Sequence, residues 1–128
     1  MMTQDELPIL KVASMNDTHL EEMLLVNALS NAAYSRDIEG VATAIQALYE
    51  HTVTHFENEE KLMLESNFAD FAPHKAEHDR HIHELKSLIK YYDKNREPKA
   101  VIAYIAGNLE RWLIHHMDTM DRAAADNV

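Results

Sequence analysis

The 128-residue chain predicts an all-α protein: an up-down-up-down four-helix bundle with an N-terminal arm. Three observations lead there. Glycine (2) and proline (3) are scarce while hydrophobic residues reach 46%, whereas sheets joined by tight turns need more of both. Four segments of helical length are separated by short breaks, which makes sequential helices antiparallel neighbours. Histidines and acids recur four residues apart, the interval that stacks side chains on one helical face.

Residues 1–15 read as an arm laid on the bundle, within a single domain spanning 1–128. The first helix is expected from about Asn16 to Tyr34, with Asn16 or Asp17 as its N-cap. "SRD" (35–37) breaks the chain, and Ser35 or Asp37 can cap a second helix reaching Glu65. "SNFADFAP" (66–73) connects to a third helix that carries Pro73 in its first turn and runs to about Tyr92. "DKNRE" (93–97) turns again, and Pro98 opens a fourth helix continuing to near Asp121, with Gly107 costing it some propensity. The bundle is thus placed at 16–121 and the tail at 122–128, of which "AAADNV" is expected to fray.

Charge and composition narrow the function. Twelve Lys and Arg face 22 Asp and Glu, a formal charge of −10 that repels a phosphate backbone, so no nucleic-acid partner is expected. No basic amphipathic stretch or spanning segment suggests a membrane, and the acidic "MMTQDELPIL" start is unlike a signal peptide. A cytoplasmic monomer or weak homo-oligomer is the expectation. Without cysteine there is no disulfide, thiolate zinc site or iron–sulfur cluster. Nine histidines in such a chain point to iron, manganese or zinc.

Spacing organises those histidines. His55 and Glu59 share a face of the second helix, and His74 and His78 share a face of the third. The first helix offers His19; the fourth offers His116 and Asp121. Any one of these pairs, taken singly, reads best as a surface i,i+4 pair. Contributions from all four helices at compatible heights are harder to dismiss. Five imidazoles and two carboxylates exceed one ion's needs and suit two ions bridged by the carboxylates. The five-residue step from His116 to Asp121 turns a regular helix by about 500°, leaving the second residue about 140° off the first's face. A π-bulge or unwinding is therefore expected between Met117 and Asp121.

The segments "HFENEEKLM" (55–63), "HKAEH" (74–78) and "WLIHHMDTMD" (112–121) resemble the signature segments of hemerythrins, in particular the single-domain bacterial ones. "NDTHLEEMLLVNAL" (16–29) is similar to their first helix, less closely, and the resemblance runs from about residue 16 to 121. It implies a non-haem diiron centre that binds O2 or a related small diatomic or peroxide ligand. By the family pattern His74, His78 and His116 hold one iron and His19 and His55 the other. Glu59 and Asp121 bridge the two iron ions together with an oxo or hydroxo group. The pattern also selects His116 over His115, through the tryptophan four residues earlier and the aspartate five later. His115 is then turned about 100° away, as an interhelical or surface residue.

The chain departs from the family in places. "LPILKVASM" (7–15) lacks the usual arm tryptophan and Val-Gly step. Three residues after His19, where the family places Leu or Ile beside the O2 pocket, stands Glu22. An inward Glu22 would coordinate the open iron or hydrogen-bond to a ligand; a slightly rotated helix would instead aim Met23 inward and Glu22 at solvent. His81 follows the 74–78–81 stripe where an aromatic is usual, and His51 precedes His55 by one turn. With Trp112 and Met23 they are the pocket candidates. The leading function is reversible O2 binding for storage, delivery or sensing. Its rivals are a diiron oxidase, a peroxidase, a nitric oxide- or peroxide-handling enzyme, or an iron- or oxygen-sensing domain, with Glu22 as an extra iron ligand.

Overall fold

The computed structural model describes all 128 residues, and they form four long helices behind a short arm. Helix α1 is Ala13–Tyr34, α2 is Ile38–Glu65 and α3 is Phe71–Asn95. The fourth helix runs over 98–127 and carries two π-helical turns, Ile105–Leu109 and Met117–Asp121. Helix α1 packs on α2 and on the fourth helix, α2 packs on α3, and α3 returns to the fourth helix, closing the bundle. No helix is long and apolar enough to cross a membrane.

Local chemistry explains the boundaries. The Asp37 side chain accepts from the Gly40 amide at 3.0 Å, capping α2. Pro98 sits in the first turn of the fourth helix, where its missing N–H costs nothing. Each interhelical connection reverses at one residue in the left-handed region, Arg36, Asn67 or Arg96.

Both ends differ from the expectation. Helix α1 begins at Ala13 rather than Asn16, and neither Asn16 nor Asp17 caps it. Asn16 instead folds back on the arm, accepting from the Leu10 amide at 2.8 Å and donating to its carbonyl at 2.9 Å. Asn27 clamps the Met2 backbone in the same two-way manner, at 3.0 and 2.8 Å. The tail does not fray into coil: Arg122–Asn127 is helical, and Ala125 packs with Leu10 and Met15 in a small second core. An arm pinned by two asparagines covers the tail, which then has apolar surface worth burying.

The main apolar core fills the other half of the bundle. Val26, Leu29, Ala33, Val41, Ile45, Leu48, Leu85, Val101, Ile105 and Leu109 are all buried there. Tyr92 joins them and donates its hydroxyl to the Ile38 carbonyl at 2.8 Å. This half supplies the hydrophobic stabilisation, leaving the end where α1 and α3 begin free to hold polar side chains.

Candidate metal centre

Four helices bring His19, His55, Glu59, His74, His78, His116 and Asp121 to one buried place, none more than 4% exposed. Glu59 Oε2 lies 2.6 Å from His55 Nε2 and 3.5 Å from His19 Nε2. Its other oxygen, Oε1, lies 3.1 Å from His78 Nε2 and 3.6 Å from His74 Nε2. Asp121 divides in the same way. Its Oδ1 is 3.0 Å from His74 Nε2 and 3.2 Å from His116 Nε2, while Oδ2 is 3.0 Å from His19 Nε2. Two ligand sets result, one with His74, His78 and His116, the other with His19 and His55. Glu59 and Asp121 belong to both, giving one oxygen to each.

The fourth helix reaches this arrangement through its second π turn. Over Met117–Asp121 the backbone bonds five residues on, with the Arg122 amide donating to the Met117 carbonyl. The extra residue returns Asp121 to the face of His116, as the five-residue spacing requires. His115 points to solvent.

Electrostatics mark the cluster as incomplete without positive charge. Burial works against ionisation, yet Asp121 and Glu59 push His19 up to about 9. Burial likewise opposes a charge on His55, but Glu22 and Glu59 raise it well above its ordinary value. Burial and the nearby Asp121 tend to keep Glu59 protonated; the imidazoles outweigh both and hold it low. Asp121, also buried, is held low by His116, His19 and His74. His19 Nε2, His78 Nε2, Glu59 Oε1 and Asp121 Oδ2 are buried with no aligned hydrogen bond. These four atoms face inward, and unpaired buried donors and acceptors are rare in folded proteins. Cations would satisfy them, so the donor set fits a pair of metal ions.

The surroundings orient the imidazoles. Phe56 stacks on His78 with ring centres 3.8 Å apart. Trp112 lies between His81, at 4.2 Å, and His116, at 4.6 Å, nearly parallel to both. His78 Nδ1 is backed by Glu60 Oε2 at 2.9 Å, and His55 Nδ1 by Glu22 Oε2 at 2.8 Å. A cleft of 320 Å³ lined partly by Met15, Thr18, Asn58 and Leu62 reaches His55 and Glu59 from outside.

Glu22 and Met23 are both buried, so α1 is not rotated to choose between them. Glu22 meets the rear nitrogen of His55, on the side away from Glu59. His51 is half-buried, with Nε2 3.3 Å from exposed Glu21. His81 is buried against Trp112. Sequence reasoning did not single out Glu60, Thr52 or Phe56. The paired acids of "NEEK" were the available signal for Glu60, since its neighbour Glu59 was already placed inward.

A family model described as the hemerythrin HHE cation binding domain matches residues 10–126. Bacteriohemerythrin of Aquifex aeolicus is 29% identical, over 89% of this chain and 87% of its own. Bacteriohemerythrin of Stenotrophomonas maltophilia is 30% identical over 100% of this chain and 81% of its own. A wild-type hemerythrin crystal structure superposes with a TM-score of 0.85 at 25% identity, covering 99% of this chain and 95% of that one. With its four-helix architecture, its buried histidine–carboxylate cluster and a family match across nearly its full length, the chain belongs to the hemerythrin family.

Proposed function

We propose that the chain is a non-haem diiron protein that binds O2 reversibly, for storage, delivery or sensing. The observation that carries this reading is the division of Glu59 and Asp121, each with one oxygen toward either histidine set. His74, His78 and His116 would hold one iron, His19 and His55 the other, and the two carboxylates would bridge. Two ferrous ions, when bound, supply the electrons for a reversible O2 complex. The protein's part is to hold five imidazoles in fixed directions and to leave each ligand no more than 4% exposed. Trp112 and Phe56 lock His116 and His78 by stacking, and Met23, Leu113 and Met117 are buried in the apolar core.

The rival enzymatic reading draws on Glu22 as an extra iron ligand and His81 as a proton donor. Glu22 Oε2 approaches His55 at Nδ1, whereas Nε2 is the nitrogen that faces the centre. Burial lowers His81 to about 4 although Glu22 works against it, so near neutral pH the ring holds no spare proton to give. Both placements favour the carrier.

Anaerobically reduced protein carrying about two irons per chain should gain a visible absorption band in air and lose it under inert gas. Direct, irreversible oxidation without that band would support the enzyme. One firmly bound zinc per chain would remove the diiron reading.

A further inference from the structure

Glu22 is a buried acid in a position where nothing about the four-helix fold requires one. It is 1% exposed. Its Oε1 lies 3.4 Å from the Thr52 hydroxyl, but that hydroxyl donates its one hydrogen to the Leu48 carbonyl at 2.7 Å. Its Oε2 has no aligned hydrogen bond and lies 2.8 Å from His55 Nδ1. No lysine or arginine pairs with it; among its ion-pair contacts there is only His55. A carboxylate removed from water in this way needs a donor on its one partner, and His55 Nδ1 is the only one within reach.

Resting on the diiron reading above, we infer that Glu22 is a positioning residue. Through His55 it makes the His19–His55 iron position electronically distinct from its neighbour. At 2.8 Å from Nδ1 the carboxylate favours the tautomer with its hydrogen there, which leaves the Nε2 lone pair directed at the centre. Its charge raises the basicity of that nitrogen, strengthens metal binding there and favours the oxidised metal.

A cation held by Glu22, His51 and His55, whose ligand atoms lie within 4.8 Å of one another, is the competing use of these residues. His55 Nε2, 2.6 Å from Glu59, already serves the main centre. A second metal at Nδ1 would require stripping the ring of both protons, so Nδ1 keeps its hydrogen for Glu22.

The other iron position lacks an equivalent. Glu60 backs His78 Nδ1 at 2.9 Å, but it is 18% exposed and its Oε1 is 3.6 Å from Lys75 Nζ. Water and an ammonium group take up part of its charge before it can act on the ring. Of the two carboxylates, only Glu22 delivers a full charge to its histidine.

The test compares native protein with Glu22→Gln, Glu22→Leu and Glu60→Gln, each checked for helicity by circular dichroism. Anaerobic Fe(II) titration and the midpoint potential of the loaded centre are the readouts. Glu22→Gln keeps shape and removes charge; it should weaken one of the two metal sites about 10- to 100-fold and raise the potential. Glu60→Gln should do less of both. Native values in Glu22→Gln would overturn the inference, and so would an effect confined to Glu22→Leu, which would mark Glu22 as packing alone. An equal or larger effect from Glu60→Gln would overturn the asymmetry. A readout free of folding failure uses native protein loaded with Zn(II) as a diamagnetic probe. His55 should show a downfield, slowly exchanging Nδ1–H resonance, and its absence would reject the contact. Failure of native protein to take up two metals would overturn the diiron reading as well, whereas the other negative results leave that reading standing.

Discussion

His81 is a buried histidine set against an aromatic face. It stacks on Trp112 at 4.2 Å, an aromatic surface in place of a polar partner. Burial, the largest influence, lowers it to about 4. The folded ring therefore refuses a proton that the unfolded chain accepts below its ordinary value near 6.5. Stability from this residue is present above about 6.5 and lost as pH falls toward 4. His81→Phe keeps a flat ring against Trp112 and has nothing to titrate. Between pH 7.5 and 5 the variant should lose about 2 kcal/mol less unfolding free energy than native protein. Urea unfolding of the apo forms at both pH values measures this, and parallel losses would show that His81 takes up its proton freely.

Among the elements, the second π turn carries most of the site's geometry. Met117–Asp121 holds one more residue than an α-turn and so aligns Asp121 with His116. Its middle residues Asp118 and Thr119 are exposed, so the irregularity costs little packing. An alanine inserted after Thr119 should turn Asp121 by about 100° out of the centre, because a turn already widened by one residue cannot absorb another. Metal stoichiometry should fall while far-UV helicity persists. Retention of two tightly bound metals would show that the fourth helix can slip instead. This turn was legible in advance from the five-residue step, a matter of arithmetic on one helix. The first π turn, Ile105–Leu109, was not, since Gly107 signalled only weak helix propensity.

Taken together, the bundle trades stability for a charged interior. Its apolar half must hold it while opposing charges crowd the other half, and proton linkage shows how apo-protein manages. His19, raised to about 9, contributes stability that is present below about 6.5 and lost as pH rises through 9. His55 and His78 are shifted in the same direction. Glu22, Glu59 and Asp121 are shifted down, so their contribution is present above the ordinary carboxylate range and lost as pH falls below it. Both contributions overlap between about pH 4.5 and 6.5, and His81 pulls the optimum toward the upper end. Bound metal replaces the imidazole protons and adds its own binding energy to the folded state. Iron-loaded protein should therefore melt above the apo form, and the gap should widen from pH 6 to pH 8.5. Calorimetry of both forms checks this; coincident melting curves would mean that the cluster binds no metal.

Helical periodicity made much of this readable along one dimension. His55 with Glu59 and His74 with His78 must share faces, short breaks must alternate helix direction, and a five-residue step must be taken up by a wider turn. Those relations hold within a helix and need no knowledge of its neighbours. The remaining features lie between helices. Adjacent Glu22 and Met23 stand on either side of a face boundary, and about 100° of rotation per residue leaves both orientations open. Only the packing of α1 against α2 turned both inward and set Glu22 behind His55. Asn16, an apparent cap, became a clamp because the arm lay within its reach. The tail is helical because Leu10 and Met15 cover Ala125. The division of Glu59 and Asp121 between two histidine sets depends on four helix axes at once. Spacing says which way a side chain points from its own helix; what it meets there is decided by where the other helices stand.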